Sequence, residues 1–146
     1  MKGKRRKILI TVSAVFLCVI FATLVLPSML FPLGLNVSGH VFHVGDTITG
    51  TVTFTNKSGQ DVNVISNMGN GKMSCVHVDN IKDLKLVHTI NLLGYELFMR
   101  AGDKETYEFK YEFTESGIYI VNAHSSVSVN NYPIWSRLYS IVIVLE

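Results

Sequence analysis

An uncharged, mostly apolar run from Ile8 to Phe31, preceded by the basic cluster Lys2, Lys4, Arg5, Arg6 and Lys7, restricts this chain more than any other feature. A soluble core rarely offers room for such a run, whereas a helix over its ~24 residues measures about 36 Å and crosses a ~30 Å hydrocarbon layer with some tilt. A secretory signal has a similar start, but its apolar region is shorter and ends at a small-x-small cleavage site. Here the run ends in Leu26-Pro27-Ser28-Met29-Leu30-Phe31-Pro32, with large residues where cleavage needs small ones. The expectation is an uncleaved transmembrane anchor over 8–31, with secretion after cleavage as the alternative. Val15-Phe16-Leu17 before Cys18 lacks the small residue of a lipidation site, so Cys18 reads as an ordinary apolar membrane residue.

Lysine and arginine are absent between Lys7 and Lys57, so the positive-inside rule keeps residues 1–7 in the cytoplasm and exports the rest. The charge count agrees with that division. All 11 Asp and Glu residues follow the apolar run, as do eight of the 13 Lys and Arg residues, giving the exported part a net charge of −3. The basic character of the whole chain is therefore topological and excludes nucleic acid as the expected partner. The expected partners are the lipid bilayer, through the N-terminal helix, and an extracytoplasmic or membrane protein.

Residues 32–36 read as a short connector, and 37–146 as one domain of ordinary size. Strand periodicity dominates that domain. In Thr47–Asn56, threonines alternate with Ile48, Gly50, Val52 and Phe54; in Thr106–Phe113, Tyr107, Phe109, Tyr111 and Phe113 share one face opposite Glu108, Lys110 and Glu112. Turn signals at Lys57–Gln60, Asn67–Gly71, Ala101–Lys104 and Thr114–Gly117 divide the rest. The predicted strands are Val37–His43, Thr47–Asn56, Asp61–Ser66, Met73–Val78, Leu86–Leu92, Tyr95–Arg100, Glu105–Phe113, Ile118–Val129 and Arg137–Leu145. Many short strands and no convincing soluble helix imply an all-β, antiparallel sandwich or barrel.

Glu115-x-Gly117-x-Tyr119-x-Val121-x-Ala123 resembles the tyrosine corner of immunoglobulin-like domains, in which a Tyr near the start of a late strand bonds back to the main chain. Val121 stands where antibody domains carry a disulfide cysteine, and Trp135 comes too late to be their core tryptophan. Val44-Gly45-Asp46-Thr47, the stretch Phe54 to Val62, the turn at Asn67–Lys72, the Ala101-Gly102-Asp103 turn and Gly117-Ile118-Tyr119 are similar in order to bacterial extracytoplasmic immunoglobulin-like domains, nearest the BsuPI-type proteinase inhibitors. The resemblance implies an immunoglobulin-like β-sandwich and, as an alternative function, proteinase inhibition. It carries over no inhibitory residue.

Chemistry-bearing motifs are sparse. With Cys18 in the apolar run and Cys75 beyond it, no disulfide forms within the domain, and Cys75 is expected to pack as a small core residue. Met73, Cys75 and His77 share one strand face, and His40, His43, His88 and His124 are the other imidazoles that the fold could bring near. Soft sulfur with imidazole suits copper or zinc, and metal handling through Met73, Cys75 and His77 is the third functional reading after binding and proteinase inhibition; no recognised ligand spacing is present, so no cofactor is assigned. Cys75, His124 and Asn122 have the residue types of a thiol hydrolase without a nucleophile motif, and no catalytic residue is assigned. Phosphate-loop, dinucleotide and EF-hand spacings are absent; Asp79-Asn80-Ile81-Lys82-Asp83 reads as a solvated loop. Asn36-Val37-Ser38 and Asn56-Lys57-Ser58 match the glycosylation sequon and are assigned no function. The chain is thus expected to be a non-catalytic binding or assembly module. Asn70 and the segment Asn130–Trp135, with Asn131, Tyr132 and Trp135 foremost, have the composition of contact loops.

Overall fold

The computed structural model describes residues 12–67, 74–82, 85–92 and 96–146. Residues 12–30 are helical, with a π-helical turn at Phe21–Val25 followed by a short α-helix, Leu26–Leu30. Among the described residues no helix is long and apolar enough to cross a membrane, and 8–11 of the expected anchor lie outside them. Val12, Val15, Phe16, Leu17, Val19 and Phe21 are nonetheless exposed, so the other described residues do not cover these apolar side chains.

The chain passes from that helix into the domain without a connector. The expected connector 32–36 falls, but for Pro32, within strand β1, Leu33–Val37, which pairs with β3, Thr47–Thr55. Phe31 is buried and stacks on Phe54 at 6.2 Å, while Lys57 N donates to Leu30 O at 2.7 Å. The helix end is therefore seated on the sandwich by packing and by main-chain hydrogen bonds.

Among the described residues, ten strands build two sheets. The smaller has the order β1-β3-β8, with β8 at Lys104–Glu112. The larger contains β2 (Val41–His43), β4 (Val62–Ser66), β5 (Ser74–Asn80), β6 (Lys85–Leu92), β7 (Glu96–Met99), β9 (Gly117–Val129) and β10 (Tyr132–Leu145). β9 and β10 form a long antiparallel hairpin, β5 and β4 share the other edge of β9, and β6 extends beyond β5. β2 runs parallel to β10. The predicted strand Val37–His43 is thus broken in two, its halves lying in different sheets.

Alternation dictates the packing. Ile48, Val52 and Phe54 of β3 and Phe109 of β8 face Val76 and Val78 of β5, Tyr119, Val121, Ala123 and Val127 of β9, and Val142 and Val144 of β10 in one core. Glu108, Lys110 and Glu112 point to solvent, as the aromatic alternation requires. Gly50 is where that packing is tightest. A Cβ there would lie 2.5 Å from both Asn36 O and Phe109 Cζ, so β3 needs glycine where β1 and the Phe109 ring close over it.

The tyrosine corner is made. Tyr119 Oη donates to Glu115 O at 2.9 Å, and burial raises its phenol above the ordinary range, keeping it protonated as a donor. Asn56 forms a second polar anchor. It is wholly buried, its amide donates to Gln60 O at 2.7 Å and Arg100 O at 2.9 Å, and its Oδ1 accepts from Ser58 N and Oγ. Its burial removes that sequon from the accessible surface.

Candidate metal centre

Strand β5 presents two chemistries on its two faces. Ser74, Val76, Val78 and Asn80 point into the sandwich, whereas Cys75 and His77 point to the outer face of the larger sheet. On β9, Tyr119, Val121, Ala123, Ser125, Val127 and Val129 are buried, placing Asn122, His124, Ser126 and Ser128 on the outer face. The register then pairs Cys75 with His124 and His77 with Asn122.

Those pairings assemble a cluster of donors. Cys75 Sγ lies 3.0 Å from His77 Nε2, and 3.0 and 3.3 Å from His124 Nε2 and Nδ1. The two imidazole rings are 4.8 Å apart at their centroids. Taking one donor atom from each residue, sulfur and two nitrogens lie within 4.8 Å of one another. A tetrahedral ion with bonds of about 2.3 Å to sulfur and about 2.05 Å to nitrogen holds sulfur about 3.6 Å from each nitrogen and the two nitrogens about 3.3 Å apart. The observed separations span those values, so the residues fit a metal with shifts of less than about 1 Å. Cys75 is buried at 4% exposure, as expected of a small packed residue, and its sulfur faces the imidazoles on the outer side of the sheet rather than the apolar cluster between the sheets.

The electrostatics favour ligation by His124. Burial, then the neighbouring His77 and Arg137, hold its pKa below the ordinary 6.5, so the ring is neutral and offers a lone pair at neutral pH. Arg137 is its register partner on β10 and donates to Tyr139 Oη at 3.4 Å. Trp135, Arg137 and Tyr139 form an exposed row along one flank of the cluster.

The remaining candidates fall elsewhere. Met73 and Asn70 lie outside the described residues. His40 Nδ1 lies 3.0 Å from Ile141 O, and His43 lies 3.8 Å from the Asp46 carboxylate, both away from Cys75. His88 sits on β6 opposite Val78. Asn130 and Asn131 form the hairpin turn with φ of 49° and 68°, the left-handed pair of a type I′ turn, and β10 begins directly at Tyr132. Tyr132 and Trp135 were expected in a contact loop but are exposed strand residues; Tyr132 lines a cavity with Leu26, Pro27, Leu30 and Phe31 at the helix end. Sequence reasoning grouped Cys75 with His77 through their i, i+2 spacing. It left His124 unplaced, because a contact across 49 residues depends on strand register.

No protein-family model matches the chain, and no curated protein matches it. Among solved structures, Spo0M, a sporulation control protein from Bacillus subtilis, aligns over 80% of this chain and 49% of its own, at 10% identity and a TM-score of 0.52. The chain thus spans about half the length of Spo0M. A CARDB domain from Pyrococcus furiosus aligns over 79% of this chain and 95% of its own, at 18% identity and a TM-score of 0.43. A PKD domain of an M14-like peptidase from a Thermoplasmatales archaeon aligns over 78% and 93%, at 17% identity and a TM-score of 0.42. At its identity the likeness to Spo0M carries the fold alone. What the chain constitutes by its own geometry is a two-sheet, immunoglobulin-like β-sandwich bearing a Cys-His-His donor cluster on one outer face.

Proposed function

We propose that this protein is a membrane-tethered, extracytoplasmic β-sandwich that binds a soft or borderline transition-metal ion through Cys75, His77 and His124. One observation carries the metal reading: a thiol and two imidazoles, all within 4.8 Å, are held on two neighbouring hydrogen-bonded strands. Thiolate and imidazole select copper and zinc over magnesium or calcium, which take oxygen donors. The tether is supported by the basic flank followed by an apolar helix whose side chains stay exposed over residues 12–19. The helix end is seated on the domain through Phe31 and Leu30, so the centre works within a short reach of the bilayer.

Metal analysis of the full chain tests this. The protein is purified in detergent micelles without a histidine tag, with Cys18→Ser removing the second thiol. One equivalent of copper or zinc is expected after dialysis, and Cys75→Ser or His124→Ala should each weaken binding by at least about 100-fold. Substoichiometric metal in the parent, or equal retention in both variants, overturns the reading.

A further inference from the structure

We propose that the centre is a copper site and that the side-chain oxygen of Asn122 is its weak fourth donor, an inference that rests on the metal reading above. Asn122 is the register partner of His77 and lies two residues before His124, so its side chain rises from the same sheet face beside two of the three donors. Cβ atoms of such cross-strand partners lie about 5 Å apart, within reach of a shared ion. Its Oδ1 is sealed from solvent and has no hydrogen-bond partner among the described residues. Leaving a buried amide oxygen without a partner costs about 1–3 kcal/mol, and native structures usually resolve such an orphan with a water or an ion. Here the orphan adjoins a metal-ligand cluster.

The donor set then discriminates between metals. Structural zinc sites close with four strong nitrogen, sulfur or carboxylate ligands, and a neutral amide oxygen is a poor fourth. Two imidazoles and one thiolate around a single weak, more distant donor form an arrangement that copper accepts, and the general order of divalent affinities also places copper above zinc. The scaffold supports this selectivity. Asn122 and His124 stand on β9 and Cys75 and His77 on β5, and each of these strands is hydrogen-bonded on both sides, so the donors are carried by backbone with little freedom to rearrange for another ion.

The test uses the untagged full chain in the Cys18→Ser background, loaded anaerobically with copper(II) sulfate and, separately, zinc sulfate. The parent is expected to bind one copper, to show an intense visible thiolate-to-copper charge-transfer band, and to retain copper against an excess of zinc. Asn122→Ala should keep the charge-transfer band but move it, change the copper hyperfine coupling in electron paramagnetic resonance, and loosen copper about 10-fold. Asn122→Asp, which returns an oxygen donor at the same place, should restore retention, and far-ultraviolet circular dichroism checks that both variants are folded. Spectra of Asn122→Ala that superimpose on those of the parent overturn the fourth donor; preference for zinc overturns the copper assignment. A parent that binds neither metal defeats the underlying metal reading instead.

Discussion

The two faces of β9 obey the same alternation and serve opposite ends. Inward, Tyr119, Val121, Ala123, Ser125, Val127 and Val129 are all buried in the space between the sheets. Outward, the same strand offers Ile118, Ile120, Asn122, His124, Ser126 and Ser128, a row that is only partly covered and turns polar from Asn122 onward. The inner face is a packing problem solved by volume. The outer face holds a histidine with a lowered pKa beside a buried thiol, which burial alone does not reward. Stability and chemistry are thus separated by one peptide unit, and substitutions should separate them too.

The sharpest way to break that division is to damage the inner face. Phe113 is fully buried and packs on Phe42, Tyr111 and Tyr119 at ring distances of 5.4, 5.4 and 4.9 Å. Phe113→Ala should cost about 3–5 kcal/mol in denaturant unfolding of the metal-free protein. Asn56→Ala comes next. It removes an amide that satisfies Gln60 O and Arg100 O and the oxygen that caps Ser58, for an expected loss of about 2–3 kcal/mol. Tyr119→Phe keeps the ring and deletes only the bond to Glu115 O, so about 1 kcal/mol is expected. By contrast, Cys75→Ser should leave the metal-free unfolding midpoint nearly unchanged while abolishing tight metal binding. A large midpoint shift from Cys75→Ser would show that the outer face is structural after all.

The same contrast explains what the sequence revealed. Strands with one apolar and one polar face, such as Thr47–Thr55 and Lys104–Glu112, announce themselves because period-two alternation has no helical counterpart. The tyrosine corner was legible because its partner is four residues away. Strand β1 was hidden: Leu33-Gly34-Leu35 follows directly on an apolar run, so its alternation merges with the run and its pairing to β3 leaves no local mark. Tyr132–Trp135 reads as loop from sequence because Pro133 and the asparagine pair suggest a break, yet the turn needs only Asn130 and Asn131. At the site, the Cys75/His77 half was visible through local spacing. His124 was not, because strand pairing decides which distant residue comes opposite Cys75, and single-chain periodicity gives a residue's face without its partner.

The smallest expected effect is also the most specific to the outer face. His124 titrates below its ordinary 6.5 because burial, and then the Coulombic influence of His77 and Arg137, disfavour the imidazolium. Between the folded and unfolded pKa values the unfolded chain binds more protons, so stability rises with pH across that window. His124's share of stability is therefore fully present above about pH 6.5 and is lost as pH falls through its folded pKa. His124→Gln should flatten this part of the pH–stability profile of the metal-free protein. Arg137→Gln should move the His124 ring-proton titration, followed by nuclear magnetic resonance, upward. Bound metal competes with the proton for the same nitrogen and lowers the folded pKa further, so in the loaded protein the fall should extend to lower pH and reach a larger total loss. An identical profile with and without metal would mean that His124 is not a ligand, even if the protein binds metal.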